Sequence, residues 1–102
     1  MVLEVAILNV KPGQASEFEA AFAEATEIIS ASEGFESLEL QRCVEAENRY
    51  VLLVRWQTLE EHTWRFRGSE AYERWRALLH HFYDPFPVVE HYEPVLVRRA
   101  TS

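Results

Sequence analysis

The chain has 102 residues, 48% of them hydrophobic and 13% aromatic, with a formal net charge of -7. That length predicts one domain over residues 1–102, with its core at about 2–97 and a short tail at 98–102. The acidic balance excludes nucleic acid as a partner, because binding it needs clustered cations to displace counterions. No apolar run reaches the ~18 residues of a membrane span.

Val2 to Val10 is aliphatic and β-branched apart from Glu4, Ala6 and Asn9, which predicts a strand buried on most of both faces. It carries no basic leader or small-residue cleavage site, so it is not read as a signal peptide. Lys11-Pro12-Gly13 supplies turn chemistry. From Gln14 to about Ile29, Phe18, Ala21, Phe22, Ala25, Ile28 and Ile29 recur at helical spacing between glutamates, an amphipathic helix. Glu33-Gly34 marks its exit. Phe35–Glu45 and Arg49–Gln57 then form a hairpin joined by the EAEN connection.

Thr58 and Glu61 have capping-box spacing, so a short helix is expected from Leu59 to about Phe66, ended by Gly68. Ser69 can cap a second helix, with Glu70 and Arg74 as an i,i+4 pair and Tyr72, Trp75 and Leu79 on one stripe. Asp84-Pro85 and Pro87 break the chain before a last strand at Val88–Val97.

The order is βαββαβ, which predicts an α+β, ferredoxin-like fold: a four-stranded antiparallel sheet with both helices on one face. The other face would then be open, yet both parities of the strands hold apolar residues. Monomers rarely leave so large a patch in water, so a homodimer with facing sheets is expected. The lone Cys43 excludes an intrachain disulfide and fits a cytoplasmic location.

That element order, Trp56 at a strand end, the segment SEAYERW and a final strand entered through PVVEHYEP resemble the antibiotic biosynthesis monooxygenase (ABM) family over about residues 2–97. The resemblance implies a dimeric α/β barrel. The family includes cofactor-independent monooxygenases of polyketide quinone precursors, haem-degrading monooxygenases and enzymes acting on a quorum-signalling sugar phosphate. In the haem-degrading branch an asparagine ends the first strand, a tryptophan lies on the short helix after the third, and a histidine on the next helix binds iron. Asn9 matches the first, and Trp64 the second with a one-residue shift. The histidine position falls near Trp75-Arg76, so the iron ligand is missing and haem is disfavoured. No cofactor is expected.

Two histidines stand out on their own chemistry, since imidazole exchanges protons near neutral pH. His62 lies one helical turn before Phe66. His91 shares a strand face with Val89, Glu93 and Val95, and the topology can bring that face beneath His62. The pair either flanks a substrate or satisfies itself. His62, His91 and Glu93 lack a recognisable metal-ligand spacing, so no metal is expected. The catalytic candidates are His62 or His91 as base, with Asn9 and the Trp64 N–H as donors to a substrate oxygen. Phe66, Tyr72, Trp75, Phe82 and Tyr83 are candidate walls of a pocket for a small apolar or aromatic ligand. Arg65, Arg67, Arg74 and Arg76 read as a solvated, ion-paired stripe. The expected function is a cofactor-free monooxygenase acting on a quinol- or polyketide-like molecule. A non-catalytic binding dimer and a proton-transfer isomerase remain alternatives.

Overall fold

The sheet is sorted by alternation along its strands. β1 (Val2–Asn9) turns Glu4, Ala6 and Leu8 inward, and β3 (Arg49–Trp56) does the same with Tyr50, Leu52, Val54 and Trp56. In the computed structural model, which describes residues 1–101, these are the two central strands of a four-stranded antiparallel sheet, ordered β2-β3-β1-β4. β2 (Phe35–Arg42) and β4 (Val89–Tyr92) are the edges. β1 pairs with β3 from Val2↔Trp56 to Asn9↔Arg49, and with β4 from Leu3↔Tyr92 to Ala6↔Val89.

Helices α1 (Ala15–Ser30) and α2 (Glu70–Leu79) lie on the inward face. α1 buries Phe18, Phe22, Ala25 and Ile29, and α2 buries Trp75 and Leu79. Phe18 is the hub, with its ring 5.0 Å from Tyr50 and 5.7 Å from Phe82. Ser69 caps α2 as its spacing predicted, its Oγ accepting from the Tyr72 N–H at 3.1 Å. The ion pair expected between Glu70 and Arg74 gives way to Glu73 with Arg76, at 3.8 Å.

Gly34 is held by two constraints. Its φ is +83°, and a Cβ there would overlap the side chain of Glu61. Gly34→Ala should therefore lose about 1–3 kcal/mol in chemical denaturation. An unchanged midpoint would mean that neither constraint matters.

The last strand is shorter than its sequence promised. It stops at Tyr92, not Val97, because Tyr92 already faces Leu3 and β1 has nothing left to pair with beyond Val2. The chain runs on unpaired, leaving Val95 99% and Leu96 87% exposed. The sheet's outer face is bare too: Leu3, Val5, Val51 and Leu53 are only half-buried, and Ile7 is 47% exposed. Ser102, the end of the expected tail, lies outside the described residues.

Candidate active site: a buried carboxylate and two histidines

The short segment after β3 is a π-helix, Glu61–Phe66, rather than an α-helix. The Thr58 hydroxyl accepts from the Glu61 N–H at 3.3 Å and starts it. At its end the Arg67 N–H reaches the His62 carbonyl, an i→i−5 bond of 3.2 Å. π-turns are rare and cluster at functional sites. This one buries His62 and Phe66 together against the sheet.

His62 meets a carboxylate there. Glu4, on the inward face of β1, is 6% exposed and His62 is 3% exposed. Glu4 Oε1 accepts from Trp56 Nε1–H at 2.9 Å and lies 3.2 Å from His62 Nε2. The His62 ring stacks on Trp56, with centroids 5.3 Å apart. On its other side His62 Nδ1 is 2.7 Å from His91 Nε2. His91 arrives by register, because it is the β4 partner of Glu4. A continuous chain thus runs Trp56–Glu4–His62–His91.

The contact between Glu4 and His62 admits two proton arrangements: carboxylate with imidazolium, or carboxylic acid with imidazole. Burial decides between them, since two charges out of water cost more than their attraction returns unless every lone pair is satisfied. Desolvation pushes the Glu4 carboxyl up to about 7, against the opposing Trp56 hydrogen bond and Arg67 charge. Desolvation, with His91 and Arg67 adding to it, pulls His62 down to about 3. His91 is lowered by burial and then by Arg67. From about pH 3 up to about pH 7 the pair therefore holds one proton, carried by Glu4.

Glu4 and His62 open on a cleft between the helices and the sheet. Phe66, Tyr72, Trp75 and Tyr83 wall it, and Phe86 and Pro87 form its rim. The cavity is about 50 Å³, room for a few waters. Arg67 also lines it; it is solvent-exposed, as the stripe reading expected, but makes none of the expected ion pairs among the described residues. Burial, reinforced by Glu4 and Tyr72, raises the Tyr83 phenol and keeps it a neutral donor.

The structure brings His62 and His91 together, and places Phe66, Tyr72, Trp75 and Tyr83 with His62 around the cleft. It does not bring the rest. Trp64 is 77% exposed, because the π-turn that buries His62 and Phe66 rotates it outward. Asn9 accepts from Arg49 Nε at 3.2 Å, at the end of β1, and does not line the cleft. Phe82 is spent in the core against Phe18. Sequence reasoning missed Glu4. The signal was present: an acid at a position whose parity, shared with Ala6 and Leu8, faces the core.

An antiparallel α+β domain with one helical layer, holding a buried acid–imidazole chain at an aromatic cleft, is the class of protein these features define. Residues 1–78 match the antibiotic biosynthesis monooxygenase family. The chain belongs to that family. It is 52% identical over 95 residues to the uncharacterised protein YczJ of Bacillus subtilis, covering 93% of this chain and all of that one. A solved structure from Bordetella bronchiseptica, designated an antibiotic biosynthesis monooxygenase, is 35% identical with a TM-score of 0.89, covering 93% of this chain and 97% of that one. SnoaB of Streptomyces nogalater, a cofactor-independent oxygenase, shares the fold at 23% identity and a TM-score of 0.69, covering 98% and 94%. No helix among the described residues is long and apolar enough to cross a membrane.

Proposed function

We propose that this chain is a cofactor-independent monooxygenase, acting in the cytosol as a homodimer on a small aromatic or apolar substrate of the quinol or polyketide kind. The observation that carries the reading is the buried Glu4–His62 pair opening on an aromatic cleft, with the partly buried His91 behind it. Ground-state oxygen reacts with organic molecules by taking electrons, and a hydroxyaromatic becomes a good donor once deprotonated. The protein then has to supply a base, a partner for the oxyanion and a dry enclosure. His62 and His91 belong to the base, the free guanidinium of Arg67 steadies the anion, and Phe66, Tyr72, Trp75 and Tyr83 enclose the ring. Asn9 and Trp64 have no part in this reading. The cavity of about 50 Å³ is smaller than a bicyclic guest, so this reading requires the Phe86-Pro87 rim to open on entry. SnoaB's cofactor-independent oxygenation on the same fold supports the proposal.

The test is oxygen uptake with a panel of naphthohydroquinones, without added cofactor and with excess chelator. Uptake is expected to be indifferent to the chelator and to fall ~10²–10⁴-fold in His62→Ala. Tight binding without uptake would make the chain a binding dimer. Hydrogen exchange at substrate carbon without uptake would make it an isomerase.

A further inference from the structure

We propose that Glu4 is the residue that takes the proton from the substrate, and that His62 and His91 conduct protons between Glu4 and solvent. The inference rests on the cleft being a substrate site, as argued above. Both nitrogens of His62 are engaged, Nε2 with Glu4 and Nδ1 with His91, so neither is free for a ligand. Glu4 Oε1 is engaged as well, by Trp56 and His62. Glu4 Oε2 makes no hydrogen bond among the described residues, and Glu4 lines the cleft. The atom that faces a guest is therefore Oε2.

The other end of the chain lies elsewhere. His91 does not line the cleft; it lines a separate groove with Gln57, Thr58 and Glu93 that is open to water. These contacts thus join the aromatic cleft to a second, separate groove through two imidazoles. The path carries one proton outward in a single pass. Glu4 Oε1–H passes to His62 Nε2, His62 Nδ1–H passes to His91 Nε2, and His91 Nδ1–H passes to water. One proton leaves, each imidazole ends neutral in its other tautomer, and a carboxylate remains. Oε2 then accepts the proton of a substrate hydroxyl, whose O–H electron pair stays on oxygen as the oxyanion. The titratable groups around Glu4 are His91 from β4, His62 and Arg67 from the π-helix and its end, Tyr72 from α2, and His80 and Tyr83 after it. Among them Arg67 is the cation that favours the ionised form.

The experiment has two arms. In the first, nitrogen-15 NMR follows solvent exchange of the His62 ring N–H in the unliganded protein. His91→Phe is expected to slow exchange at least tenfold, with backbone spectra unchanged. Equal rates would overturn the conduit whatever the protein's activity. In the second, oxygen uptake is compared in the parent, Glu4→Gln and His91→Ala. Glu4→Gln is expected to lose ~10²-fold or more. His91→Ala is expected to fall at least tenfold and to recover in imidazole buffer, which a merely structural role would not allow. Full activity in Glu4→Gln, or a His91→Ala defect that imidazole leaves untouched, would overturn the assignments. If the parent takes up no oxygen with any hydroquinone, the monooxygenase reading fails and the exchange arm alone decides the conduit.

Discussion

Urea unfolding of Glu4→Gln should give a stability that climbs between pH 4.5 and 6.5 by on the order of 3 kcal/mol relative to the parent, whose own Glu4–His62 contribution stays level there. The reason lies in where each state holds its proton. Unfolded, Glu4 loses its proton near 4.5 and His62 keeps one to 6.5; folded, Glu4 keeps its proton to about 7 and His62 has lost its own by about 3. Across that window both states of the parent hold one proton on the pair, so the slopes cancel. With Gln at position 4 only the histidine remains. Its folded value is depressed, the unfolded state binds the extra proton, and stability rises with pH. His62→Gln should do the opposite: Glu4 alone is raised, the folded state binds the extra proton, and stability falls from pH 4.5 to about 7. Other carboxylates, such as Glu19 lowered by Arg42 and Tyr50, titrate alike in all three proteins and drop out of the differences. Three parallel curves would sink this account of the pair.

Ile7→Asp should separate the proposed dimer into monomers at concentrations where the parent sediments as one species of twice the mass. Ile7 sits mid-strand on the bare face of the sheet, flanked by Val5 on its own strand and facing Val51 on β3. If two copies pair these faces about a twofold axis, every substitution enters twice. Stranding a carboxylate in such an interface costs roughly 3 kcal/mol or more. Two of them weaken association on the order of 10⁴-fold. The same residue points away from Glu4 and the helices, so the monomer should keep its far-ultraviolet spectrum. A parent that sediments as a monomer, or a variant that stays dimeric, removes the case for facing sheets.

The element order, the helical face of α1, the hairpin and the Ser69 cap were all legible along the chain, because each is set by periodicity or by a contact within a few residues. So was the family, carried by the same order together with Trp56 and SEAYERW. The candidate site was legible in part. His62 and His91 drew attention by residue type, and their meeting at 2.7 Å follows from the pairing of β4 with β1. Trp64 was misjudged because a 3.6-residue turn was assumed where the chain makes a π-turn, and a wider turn changes which side chains face inward. The last strand was drawn too long because propensity says nothing of where the partner strand ends.

The sequence alone determined which segments become helices and strands, and that one sheet face would be left apolar, since alternation and spacing are local properties. Only the tertiary structure decided that Glu4 is a buried acid and not a solvated one. That depended on Trp56, His62 and His91, 52, 58 and 87 positions away in the chain, closing around it and excluding water. Desolvation is a property of the assembled surroundings, and no residue carries it in its own identity.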